Sequence, residues 1–560
     1  MDILTHSCID CSLCFQRLCC EEQHFDDSVS RFSISFTHAG LEKAVTARAF
    51  DWPIHIYDIS ARKLLSRDEL IRSVTAELFA SGEQLSAATR FPSPAQMKYA
   101  ILSHRWGRDE LTFQDMKHGT GVGKEGHAKV ENFFAKALSY GCRYAWFDSG
   151  CINKESSSEL EESIRSMFKW YRNSEVCIVH LNQTTGKLSA AQDSATVDEW
   201  FTRGWTLQEL LGPRRIKFFD SGWHPLTEDE YDVLRPWSHE SEDSQFQVYD
   251  RFNYVPEEVD PKAPQYKSPL EYNIVVSGPG GTQASFASLS DHDQSAFNPT
   301  LLKAISHIIG IEIDDLLYFK PSPSQSRRVF SWVSGRQTTR SEDLAYCMIG
   351  LLDLRLSIAY GEGLAGAFQR LQQECIQRNE ERDLLVWQGE RSPWNSMLAS
   401  DLRAFKRWPG YGSVTSNRIF ACSPPGTADP SLQMTNCGLR MMLSLHDIII
   451  ETPMVGLLGG YWAFEADVRM EGSPDAFHLE LRFTSEYFVP MEYMQSSWKI
   501  GILGTMLPAE GQEPVAAAIL LEKDGTRAPA RYTKLFTARF ENFPPLSRIQ
   551  IKPPEVVFIM

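Results

Sequence analysis

Between Tyr99 and Asp220 short apolar runs alternate with amphipathic ones, and no other feature of this chain restricts its fold as much. Strands that alternate with helix-length segments must run parallel, because each helix carries the chain back across the sheet before the next strand starts. YAILSH at 99–104 reads as a buried strand ending in the turn RWG. Lys129 to Tyr140 has Val130, Phe133, Phe134, Ala137 and Leu138 at helical spacing, and Gly141 stops it. YAWFD at 144–148 is the next strand. Ser158 and Glu161 then form a capping-box pattern for a helix with Leu160, Ile164, Met167, Phe168 and Tyr171 on one face. VCIVHL at 176–181 is a third strand, WFTRGWTLQELL predicts a helix, and RIKFFD at 215–220 closes a β-α-β-α-β-α-β order.

A chain of 560 residues exceeds one core, so further units flank this one. Residues 1–30 form a Cys-rich tail, and 31–98 a lead-in with the strand-like IHIYDIS and the helix-like RDELIRSVTAELF. The α/β core spans 99–237, a polar insertion or long loop 238–300, and a helical extension 301–380. Beyond it, residues 381–560 switch to period two, as in Phe477, Leu479, Leu481 and Phe483, with a hairpin signal at Asp524-Gly525. That pattern predicts an antiparallel, sandwich-like β domain.

The formal charge of −16 and the absence of a long basic run argue against nucleic acid as a partner. The N-terminus lacks the basic start and apolar run of a signal peptide, and no stretch approaches the roughly 20 apolar residues of a membrane span. Five of the twelve cysteines fall within 8–20 and the rest are scattered, which fits a reducing cytoplasmic setting better than a disulfide framework. Three readings suit the cluster: a tail with no specific role, zinc ligation by Cys8, Cys11, Cys14 and a later residue, or S-acylation of Cys19 and Cys20. GTGVGKE at 119–125 is one residue short of a phosphate-binding loop and has Glu125 where a Ser or Thr would hold magnesium. The fourteen histidines show no ligand spacing, so no metal is expected.

Three blocks resemble the fungal heterokaryon-incompatibility (HET) domain: YAILSHRWG at 99–107, the tract 144–181 beginning YAWFDSGCINKE, and WFTRGWTLQELLGPRRIKFFD at 200–220. The tract 334–374, beginning SGRQTTRSEDLAY, is similar to the extension that follows this domain, and NCGLRMML at 436–443 to the module commonly found next. Ser149-Gly150 departs from the Thr or Ser followed by Cys usual in the family.

HET domains are similar in turn to TIR domains, some of which cleave NAD at the nicotinamide–ribose bond through a glutamate in the tract matched here by WTLQEL. The resemblance implies a TIR/flavodoxin-like parallel sheet, a role in non-self recognition and programmed cell death, and Glu209 as catalytic residue with NAD+ as substrate and no cofactor. A fixed carboxylate stabilises the positive charge that develops on the ribose.

Ser103, Arg105, Trp106 and Asp148, at expected strand ends, would bind substrate. Arg105 would neutralise a phosphate, Trp106 or Trp205 stack on a ring, and Asp148 orient a hydroxyl or a basic side chain. The implied alternative is a non-catalytic scaffold. Self-association through this domain and a separate sensor or incompatibility partner are the expected interactions.

Beside these readings stand plainer ones: Trp205 as core, Asp148 as a helix cap, and Glu209 paired with Arg203 or Arg214. Thr339 and Glu342 read as a second capping box, with Arg336 and Arg340 pairing to carboxylates of the α/β domain.

Overall fold

The computed structural model describes residues 51–81, 98–186, 197–235, 298–378, 382–387, 392–406 and 432–458, most strand residues from 461 to 560, and a few isolated short pieces. The Cys cluster and almost all of the 238–300 insertion lie outside the described residues. The chain divides into two compact units, 1–50 with 68–97, and 51–67 with 98–560. In the first, Ser33–Ile34 pairs antiparallel with Leu85–Ser86, and the helix Arg67–Ser81 buries Leu70, Ile71 and Val74.

In the second unit seven strands form one sheet: β1 (His55–Asp58), β2 (Lys63–Ser66), β3 (Tyr99–His104), β4 (Tyr144–Trp146), β5 (Val176–His180), β6 (Arg215–Phe219) and β7 (Val233–Leu234). Their spatial order is β2-β1-β4-β3-β5-β6-β7. The inner four are parallel to one another, while the outer strands pair antiparallel. Every residue of β3 and β5 is buried, as the unbroken apolar runs require of strands covered on both faces. The hairpin β1–β2 belongs to this sheet rather than to a separate lead-in, and Arg143 ties its edge through two bonds to Asp58 Oδ2, at 3.0 and 2.8 Å.

The connecting helices are α1 (Phe113–His118), α2 (Glu125–Ser139), α3 (Asp148–Cys151), α4 (Ser157–Arg172) and α5 (Thr206–Leu211). Gly141, at φ +71°, turns the chain after α2 as its position predicts. Ser156, not Ser158, caps α4, because its hydroxyl is the one that reaches a free N–H, that of Glu159. WFTRGWTLQELL does not form one helix: Glu199–Thr202 is a 3-10 turn, the chain extends at Arg203, and α5 holds six residues.

The extension contributes Pro299–Ile309, Ile313–Tyr318, Ser326–Val333, Asp343–Tyr346 and Gly363–Arg378. The second capping box does not form. Thr338, not Thr339, bonds locally, to Arg340 O, while the Glu342 carboxylate accepts the N–H groups of Gly361 (3.0 Å) and Gly363 (3.2 Å) at the start of the last helix. That carboxylate answers the positive end of a helix other than its own.

The C-terminal part is strand-rich, and one of its sheets closes on itself. Gly438–Leu458, Trp498–Met506, Val515–Lys523, Arg531–Lys534 and Glu555–Ile559 pair in a closed ring, because Gly438–Leu458 bonds both the last and the first of the others. One of these pairs, Arg531–Lys534 with Glu555–Ile559, is parallel. The 21-residue strand then continues into Tyr461–Met470 and Ala476–Phe483, so one strand serves two sheets, and the layer expected as half of a sandwich is an arm packed on a barrel-like ring. The alternation holds at Phe477 and Leu479, which are buried with Phe464, Val468, Trp498 and Ile500, while the side chains of Leu481 and Phe483 lie outside the described residues. No helix among the described residues is long and apolar enough to cross a membrane.

Candidate functional site

Successive side chains of a strand leave opposite faces of a sheet, so Ser103 and His104 at the end of β3 serve two different clusters. Ser103 Oγ donates to Glu209 Oε2 at 2.5 Å and accepts from Trp200 Nε1 at 2.8 Å. Glu209 comes from α5, all six residues of which are buried, and Trp200 from the 3-10 turn before it. Tyr171 of α4 closes the cluster from below, its hydroxyl donating to Leu102 O at 3.1 Å.

Glu209 is 7% exposed. Burial pushes its carboxyl up to about 8, and the charge of Asp148 adds to this, against the lowering by the Ser103 and Tyr171 hydroxyls and by Arg203. The expected pairing with arginine does not occur: Arg203 reaches Glu209 only through its field, and Arg214 Nε donates to Arg235 O. A carboxyl so placed switches charge near neutral pH, and a cationic neighbour would favour its ionised form.

Asp148 stands in the first turn of α3, because the strand expected to end at it stops two residues earlier, at Trp146. It does not cap that helix; both its oxygens accept from Trp106 Nε1, at 3.0 and 2.9 Å. Trp106 is 41% exposed, and its ring carries Lys154 Nζ 3.5 Å from its centre. Arg105 is occupied by Glu199, with Nε 2.5 Å from the carboxylate, so it forms an ion pair where an anion site was expected. Trp205 turns away to donate to Asp343 Oδ2 at 3.3 Å. Ser103, Glu209 and the field of Asp148 therefore meet, with Trp106 at the rim, whereas Arg105 and Trp205 are engaged elsewhere.

Sequence reasoning missed Trp200 and Tyr171, although their tracts were recognised. It also missed the cluster on the other face. His104 and His180 are register partners on adjacent parallel strands, at the point where the chain order of the strands reverses. His104 Nε2 lies 3.6 Å from Glu110 Oε2, and Lys129 holds the other Glu110 oxygen.

Trp223, at φ +63°, stacks on His180 with centroids 4.4 Å apart. Burial drives the His180 imidazole down to about 4, so it is neutral at physiological pH. Strand parity applied to Ser103 and His104 was the available signal. Among the described residues no group of three or more His, Cys, Asp or Glu could hold a metal ion.

This α/β segment is similar to a known domain class: residues 99–199 match the family model described as Heterokaryon incompatibility protein (HET). The match ends ten residues before Glu209. Among curated proteins, the chain is 30% identical over 291 residues to the Vegetative incompatibility protein HET-E-1 of Podospora anserina. That alignment covers 50% of this chain and 16% of the relative, so the chain spans about a sixth of that protein's length. No solved structure matches the chain.

Proposed function

We propose that this chain acts in fungal vegetative incompatibility as a cytoplasmic cell-death effector, and that its TIR-like α/β unit hydrolyses NAD+ at the nicotinamide–ribose bond after self-association. The similarity of residues 99–199 to the incompatibility family supports the cellular role. Counted along the chain, the parallel strands lie in the order second, first, third, fourth, the flavodoxin-like arrangement to which TIR-type sheets conform.

The observation that carries the chemistry is the Ser103–Glu209 bond of 2.5 Å at the carboxyl end of β3, next to the point where strand order reverses. Open α/β sheets bind ligands there. Glu209, once ionised, would stabilise the positive charge that grows on the ribose as the bond to the cationic nicotinamide breaks. Ser103 would hold the carboxylate in place, and Asp148 with Trp106 would meet the ring or the ribose at the rim.

Purified protein, concentrated or cross-linked, is expected to consume NAD+, and Glu209→Gln to abolish turnover with the fold intact by circular dichroism. Undiminished turnover in that variant would exclude Glu209.

One observation favours a second reading. Glu209 is only 7% exposed and its partner Ser103 is fully buried and bonded to Trp200, as suits a scaffold that signals by assembling copies of the α/β unit, or by meeting a sensor protein, without catalysis. Toxicity on overexpression that persists in Glu209→Gln would support it, and loss of toxicity with Glu209 alone would count against it.

A further inference from the structure

A six-residue helix such as α5 cannot hold itself together, since helices this short are unstable without tertiary support. It also lacks a side-chain cap: Trp205 occupies the N-cap position and makes no capping bond. Part of its support comes from the sheet, α4 and Arg235, which donates to Leu210 O at 2.8 Å, and part from the extension, beyond the residues 99–199 that match the family model.

Gly204 N–H donates to Gln337 O at 2.9 Å and Gln337 N–H to Thr202 O at 2.8 Å, a bridge of parallel-strand type between the two tracts. Arg336, 8% exposed, donates from Nη1 to Arg203 O at 2.9 Å and to Thr206 Oγ1 at 3.3 Å. These partners are neutral, not the carboxylates its sequence context suggested. Trp205 Nε1 reaches Asp343, whose other oxygen accepts from Tyr360.

Gly204 is a glycine because a Cβ there would lie 2.7 Å from Thr338 Cγ2 and 3.2 Å from Cys347 Sγ. On the inner side of α5, Cys177 Sγ lies 3.8 Å from Glu209 O.

We infer that residues 336–347 of the extension are a clamp that sets the position of Glu209 against Ser103, with Arg336 as the positioning residue. Removing Arg336 leaves the bond between Glu209 and Ser103 chemically intact but frees the segment 202–206 from which α5 is hung. The catalytic consequence rests on the reading of Glu209 given above, whereas the clamp itself does not.

The test uses the full chain and three buried thiols, with maleimide labelling followed peptide by peptide in Arg336→Gln and in the milder Trp205→Phe. Cys347 lies in the clamp, Cys177 lies under α5, and Cys375 sits in the separate helix Gly363–Arg378. Losing a charged or indole donor to a buried acceptor should raise local opening about tenfold or more.

Labelling of Cys177 and Cys347 is therefore expected to accelerate together in both variants while Cys375 is unchanged, and Arg336→Lys should restore part of the protection. Unchanged Cys177 labelling would overturn the clamp, as would equal acceleration at Cys375, which marks general loosening. If the wild type consumes NAD+, kcat should fall in both variants with KM little altered, and a change in KM alone would overturn the positioning role. If it consumes none, the catalytic reading fails while the thiols still decide the clamp.

Discussion

Replacing Glu209 by Gln should make the α/β unit more stable, and increasingly so as pH rises. The carboxyl goes from an ordinary value of 4.5 to about 8 in the fold. Below the lower value both folded and unfolded chains carry the proton, so ionisation of the group does not alter stability. Between the two values the unfolded chain releases a proton that the folded chain keeps, and stability falls as pH rises until the folded carboxyl also ionises.

The interval from 4.5 to about 8, at about 1.4 kcal/mol per unit, sets a ceiling of roughly 5 kcal/mol. Relaxation around the ionised group would bring the loss to roughly 2–4 kcal/mol. Gln keeps the shape and an acceptor for Ser103 but cannot ionise.

A chain of several units does not unfold in one step. The assay is therefore hydrogen exchange resolved to peptides covering 199–219, in wild type and variant from pH 5 to 8, corrected for intrinsic exchange. The difference between the two should be near zero at pH 5 and grow in favour of Gln by pH 8. Parallel curves, or a variant whose advantage shrinks with pH, would refute the burial of an uncompensated carboxyl.

Three further outcomes follow from the same geometry. Ser103→Ala removes the hydroxyl that joins Trp200 to Glu209, and each orphaned buried group costs about 1–3 kcal/mol, so a melting transition within error of wild type would contradict the network. His180, lowered to about 4 by burial, resists protonation in the fold, so stability should fall on acidification through the window from 6.5 to about 4. His180→Asn should flatten that dependence in acid titrations followed by tryptophan fluorescence. Gly350→Ala would place a Cβ 2.3 Å from Phe168 Cβ and is expected to cost about 1–3 kcal/mol or more, whereas Gly335→Ala, with open space around it, should melt like wild type.

The apolar runs YAILSH and VCIVHL, the helix-stopping Gly141 and the alternation around Phe477 were legible as strand, turn and β pattern because they express local periodicity, which the backbone geometry of each element imposes directly. The partnership of Ser103 with Glu209 was foreseen only as a shared crevice implied by family resemblance, and the bond between residues 106 positions apart belongs to packing.

Where sequence reasoning went astray, the deciding partner was distant. Glu342 had a candidate cap beside it but bonds the start of another helix; Arg105 and Trp205 had candidate ligands but found Glu199 and Asp343; the last domain had sandwich periodicity but closes through one long strand. A side chain's neighbours along the chain set which element it joins and which face it leaves from. Which charge it meets, whether it is buried and what proton affinity results depend on atoms brought near only by the tertiary fold, because desolvation and Coulomb energy follow distance in space.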